Sequence, residues 1–89
     1  MMILRIERIN QRGGTLIRLV GQLGTEHFGE LRALIAESES APALDLEEVN
    51  SVDLEGVRFL VSAEKDGVEV RNASPYIREW MNRVGRGRP

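Results

Sequence analysis

The stretch Ala43-Leu44-Asp45-Leu46-Glu47-Glu48-Val49-Asn50-Ser51-Val52-Asp53-Leu54-Glu55-Gly56 constrains this chain more than any other segment. Residues 43–46 read as a short apolar strand. A polar turn follows, and Asp53 is a plausible N-cap for an amphipathic helix with Val57, Leu60 and Val61 facing inward. A strand running into a helix start is where α/β proteins present backbone N–H groups and binding residues. Here the spot holds two carboxylates, Asp53 and Glu55, and no hydroxyl at either position. That absence limits the chemistry the turn can carry.

The flanking segments alternate strands with helices. Residues 3–9 alternate imperfectly between apolar and charged and read as a strand; residues 11–14 are a turn whose glycines are free to take positive φ; residues 15–21 are a second strand, rich in Leu, Ile and Val. So short a connection predicts an antiparallel hairpin. Thr25 is placed to cap a helix beginning at Glu26, with Phe28, Leu31, Leu34 and Ile35 as its buried stripe. Gly29 costs that helix about 1 kcal/mol relative to Ala, which a close approach to the sheet would explain. Residues 38–42 end the helix.

After the second helix, Asp66-Gly67 is a turn and residues 68–71 a short strand. Ser74-Pro75 is the clearest boundary in the chain: serine accepts from orphan N–H groups at the N-cap, and proline at the first helical position has no N–H to orphan. Ile77, Trp80, Met81 and Val84 form the apolar face of the last helix, and Gly85 suits its C-terminal cap. The expected fold class is α/β, with a mixed β-sheet, an N-terminal hairpin and about three helices in the order β-β-α-β-α-β-α. Helix-linked strands should be parallel, with right-handed crossovers; strand order stays open. Residues 1–85 read as a single domain and 86–89 as a flexible basic tail.

Composition narrows the function classes. At 89 residues, the chain can bury about 60–65% of its unfolded surface, a modest core. There are no cysteines, which excludes disulfides, zinc–thiolate sites and thiol nucleophiles and suits a reducing, cytoplasmic setting. No apolar run approaches the roughly 18 residues of a membrane span, and the first residues lack the basic and apolar regions of a signal peptide. Net charge is -2, unevenly spread: both ends are arginine-rich, while residues 26–69 are strongly acidic. Asp45, Glu47, Glu48, Asp53 and Glu55 form a run without a base. It would repel nucleic-acid phosphates and could attract a basic protein surface; taken singly, such charges are most often a solvated surface.

No catalytic constellation emerges. His27, the single histidine, lies early in the first helix without a triad partner. Gly21-Gln22-Leu23-Gly24 lacks the Gly-Lys-Ser/Thr ending of a phosphate loop. Glu47 and Glu48 are adjacent and cannot both face one site from a regular strand, so a turn is the simpler reading. No His/Asp/Glu spacing suggests a metal. Trp80 lies on the apolar stripe of the last helix and reads as core.

Four segments resemble a STAS domain, the fold of bacterial anti-anti-sigma factors. Gly21-Gln22-Leu23, followed by Leu31, resembles the family's G-x-L…L lead into the first helix. Asp45-Leu46 with Val49, then Val52-Asp53-Leu54-Glu55-Gly56, resembles its D-L-x-x-V…D-S-S-G segment, with the aspartates at the family's spacing of eight. Residues 72–75 resemble the turn before the last helix, and Ile77-Arg78-Glu79 with Met81 and Gly85 resembles that helix. The chain departs from the pattern at Gly24, where the family commonly has aspartate, and in the short stretch between Gly56 and Asn72. It departs most at the phosphoacceptor: the position just before the glycine is Glu55, and the hydroxyl residue before that is Leu54.

The resemblance implies a non-enzymatic regulatory module of the bacterial cytoplasm that works by protein–protein contact, like an anti-sigma factor antagonist in the control of transcription. Its partner class would be an anti-sigma factor of the histidine-kinase-like ATPase type. No metal, cofactor, nucleic acid or membrane insertion is expected. The contact surface would be Asp53, Leu54, Glu55, Gly56 and Arg58. Glu55 stands at the phosphosite, so regulation by a serine kinase is not expected. It either imitates the phosphorylated state in part, with one charge against roughly -1.5 to -2 for a phosphate, or is simply a favourable first-turn residue. The alternative that the family allows is a STAS subunit of an ABC-type lipid transport system, or a nucleotide- or small-ligand-binding STAS module.

Overall fold

Two glycines turn the first strand back on itself: Gly13 and Gly14 have φ of 97° and 154°, values that L side chains rarely adopt. A computed structural model describes residues 4–38 and 42–86. Ile3, most of the 38–42 connection and all but Arg86 of the tail lie outside the described residues. Strand β1 (Leu4–Gln11) pairs antiparallel with β2 (Gly14–Leu23) from Leu4↔Gly21 to Gln11↔Gly14. A 3₁₀ turn (Thr25–His27) leads to helix α1 (Phe28–Glu37), then β3 (Ala43–Val52), α2 (Leu54–Lys65), β4 (Glu69–Arg71) and α3 (Pro75–Gly85). The element order is the expected one. The sheet runs β1-β2-β3-β4, with β2/β3 and β3/β4 parallel.

Ile17 and Leu19 of β2 and Leu44 and Leu46 of β3 share one sheet face and meet Phe28 and Leu31 of α1, Val57 and Leu60 of α2, and Ile77 and Met81 of α3 in a single core. Each such side chain contributes roughly 1.5–3 kcal/mol on leaving water. The opposite face carries a row of alternating charge, Glu7, Arg18, Asp45 and Arg71, in direct cross-strand register. Ser74 accepts a hydrogen bond from the Ile77 N–H at 3.2 Å, with Pro75 at the first helical position, as the sequence predicts.

Four local expectations are corrected. Thr25 does not cap α1: its side chain makes no cap bond, and the His27 N–H donates to the Gly24 carbonyl at 3.1 Å in the 3₁₀ turn. The helix starts where Phe28 reaches the core. The polar stretch after Leu46 is strand, because Glu48, Val49, Ser51 and Val52 pair with the far half of β2. Gly29 is exposed, and a Cβ there would meet nothing within 4 Å, so no close approach explains it. Gly85 closes the last turn of α3 but does not cap it; Arg86 does, at φ -82°.

Candidate functional site

The site is set by how β3 ends. Between Arg18/Val20 and again between Gly21/Gln22, β3 advances one residue more than β2. Each extra residue bends the strand and breaks its alternation, which is how Glu47 and Glu48 are both exposed from one strand. Asp45 holds the first irregularity. Its Oδ1 accepts from the Glu47 N–H and from the Asn72 side-chain amide, each at 3.0 Å, and its Oδ2 lies 3.7 Å from Arg18 Nε. Asp45 is 7% exposed. Burial alone would raise its carboxyl, but the bonds from Asn72 and Glu47 and the Arg18 charge together hold it below the usual carboxylate range. Asn72 reaches it from a backbone at φ 60°, a conformation asparagine tolerates better than most residues.

Beyond Val52 the chain enters α2. The Asp53 carboxylate accepts from the Gly56 N–H at 2.7 Å, the N-cap that the sequence predicts. Gly56 is buried against the strand ends: a Cβ there would lie 2.8 Å from Val52 Cγ2 and 3.3 Å from both Asp53 Oδ1 and the Leu23 carbonyl. With Gly56 pulled in, the two residues before it are turned outward. Leu54 is 41% exposed, one of the few large apolar side chains facing water. Glu55 is likewise exposed and pairs with Arg58 Nη1 at 2.8 Å across one helical turn. Of the five residues expected at the contact, Leu54, Glu55 and Arg58 thus form one exposed patch; Asp53 is committed to the cap and Gly56 to packing.

Beside this patch lies a feature that sequence reasoning missed. Phe28 and Phe59 stack at 4.7 Å between centroids and 11° between planes, and the Arg32 guanidinium lies 5.8 Å and 5.5 Å from their centroids. Arg32 continues with Ile35, Phe59, Ser62, Ala63 and Asp66 into an open groove of about 200 Å³ between α1 and α2. Phe28 was legible as core; Phe59 was not assigned an inward position, although the chain has two phenylalanines in all. His27 Nε2 is buried without a hydrogen-bond partner and lies 3.3 Å from the Glu26 carboxylate. Trp80 is half-buried against the core, as its place on the stripe predicts, with its ring 5.7 Å from the exposed Tyr76. Among the described residues no group of three or more His, Cys, Asp or Glu could hold a metal ion, and no helix is long and apolar enough to cross a membrane.

No protein-family model and no curated protein matches the sequence. The fold does match a solved structure. The crystal structure of an antisigma-factor antagonist STAS domain from Rhodobacter sphaeroides superposes with a TM-score of 0.56 at 20% identity, over 81% of this chain and 92% of that one. The hairpin, the two parallel crossovers and the closing helix, joined in this order, are therefore a STAS-type fold.

Proposed function

We propose that the chain is a non-catalytic regulatory module of the bacterial cytoplasm that docks on another protein through the start of α2. The observation that carries this reading is Leu54: an apolar side chain 41% exposed at the end of the parallel strands, flanked by the Glu55–Arg58 pair. In the STAS pattern this turn carries the phosphoacceptor, and the fold supports reading it as the partner-facing turn. Glu47 and Glu48, both exposed on the second half of β3, favour a basic partner surface; an anti-sigma factor of the histidine-kinase-like class is the partner type that the resemblance suggests.

Glu55 is exposed and cannot be phosphorylated by a serine kinase. Its single charge is largely offset by Arg58 at 2.8 Å, whereas a phosphate adds roughly -1.5 to -2. The patch therefore lacks the charge of a phosphorylated turn, and Leu54 is what a partner would bury. The test is capture of the cognate partner by the purified chain. Leu54→Asp should release the partner while leaving the free energy of unfolding within about 0.5 kcal/mol of wild type. Undiminished capture by Leu54→Asp, or kinase labelling of the wild-type chain at Ser51, defeats the reading.

A further inference from the structure

The sheet has, among the described residues, a long open edge that the docking patch does not use. Among the described residues β1 is paired on one side only, by β2, and spans Leu4–Gln11 without a register shift. Proteins usually blunt such an edge with proline, a bulge or charged side chains, and charges of both signs can pair across an edge as well as repel. β1 contains no proline and no bulge, and its charges, Arg5, Glu7 and Arg8, are of both signs.

We propose that β1 is a self-complementary edge through which two copies of this chain pair antiparallel into one continuous sheet. The hairpin determines which groups are free. Its two-residue connection makes Gln11↔Gly14 the closing hydrogen-bonded pair. By alternation the odd residues bond to β2, and the N–H and C=O groups of Leu4, Ile6, Arg8 and Asn10 face the open side.

A two-fold axis through the sheet keeps the helices of both copies on one face, so residues of equal parity must oppose each other. This leaves few registers. A register centred on Glu7 opposes Glu7 to itself, and one centred on Arg8 opposes Arg8 to itself; like charges directly opposite destabilise a pair. A register centred on Ile9 opposes Glu7 to Gln11 and pairs no charges. Centred on Ile6, the strands place Arg5 opposite Glu7 twice, Ile6 opposite Ile6, and Leu4 opposite Arg8. That register makes about six backbone hydrogen bonds. Arg5 and Glu7 already sit 3.4 Å apart within one strand, both on the face away from the helices, so exchange across the axis needs little movement of either side chain.

The experiment is sedimentation velocity of the full chain up to about 1 mM, the weak end of measurable association, with amide exchange read at Ile6. The expected result is a reversible dimer whose formation slows exchange at Ile6. Arg5→Glu, which leaves the Glu7–Arg18 contact in place, opposes Glu to Glu twice and should weaken the dimer about tenfold. Arg5→Lys keeps opposite charges across the axis without touching the Glu7–Arg18 contact and should retain the dimer, with circular dichroism unchanged throughout. A chain that stays monomeric, a dimer indifferent to Arg5→Glu, a dimer weakened as much by Arg5→Lys as by Arg5→Glu, or an Ile6 amide that exchanges at the monomer rate overturns the proposal. So does an edge that takes up only a foreign extended segment while the chain itself remains a monomer.

Discussion

Gly56→Ala and Gly29→Ala are the same chemical change in two helices and should have opposite signs. Alanine is favoured over glycine in a helix by up to about 1 kcal/mol. At Gly29 nothing lies within 4 Å of the new Cβ, so that gain should appear nearly whole, at about 0.5–1 kcal/mol. At Gly56 the new Cβ would sit 2.8 Å from Val52 Cγ2 and 3.3 Å from the Asp53 capping oxygen and the Leu23 carbonyl. Val52 is half-buried and can turn away; the Leu23 carbonyl is backbone and cannot. Overpacking of this kind costs about 1–3 kcal/mol, and displacing the cap costs about 1 kcal/mol more. The net for Gly56→Ala is about 1–3 kcal/mol of destabilisation, and each kcal/mol lowers Tm by roughly 4–8 °C in a domain of this size. Urea unfolding followed by Trp80 fluorescence measures both variants. Gly56→Ala as stable as wild type, or two variants within about 0.5 kcal/mol of each other, would refute the claim that α2 is seated by a missing side chain.

Three further outcomes are expected. The folded-state pKa of Asp45 lies below its ordinary 3.8, so the native state binds fewer protons than the unfolded one. The stabilisation is fully present above about pH 4 and is lost as pH falls through the folded value. Asp45→Asn should cost about 1–3 kcal/mol at pH 7 and flatten the acid limb of stability against pH; an unchanged acid limb contradicts the assignment. Phe59→Ala should cost about 3–5 kcal/mol by emptying the stack on Phe28, measured by thermal unfolding, and a loss under 1 kcal/mol would mean the ring is not part of the core. Ser74→Ala should cost about 0.5–2 kcal/mol, with Ser74→Asp retaining most of the stability; equal losses in both would show that the cap does not hold α3.

The expectations that held rest on interactions a few residues long. Asp53 and Ser74 cap helices whose first turns they themselves begin, and the glycines of the β1–β2 turn supply backbone angles that no neighbour has to impose. The expectations that failed depended on partners far along the chain. Residues 47–52 looked like a turn because they are polar, yet they are strand because β2 offers an unpaired ladder from Val20 to Leu23, and unmet backbone groups cost more than exposed carboxylates. Thr25 has the chemistry of a cap, but the start of α1 follows the placement of Phe28 in the core. Asp45 was legible as part of an acidic run; that Asn72 and Arg18 would close around it was not.

The exposed patch of Leu54, Glu55 and Arg58 divides the same way. That an anionic residue follows the capped helix start, with no hydroxyl to modify, is written in the order of amino acids, since capping and charge are properties of neighbouring residues. That Leu54 faces water while Gly56 is buried, that Arg58 offsets Glu55, and that among the described residues β1 is paired on one side only came from the packing of distant segments, because burial and strand order are decided by contacts that adjacent residues do not encode.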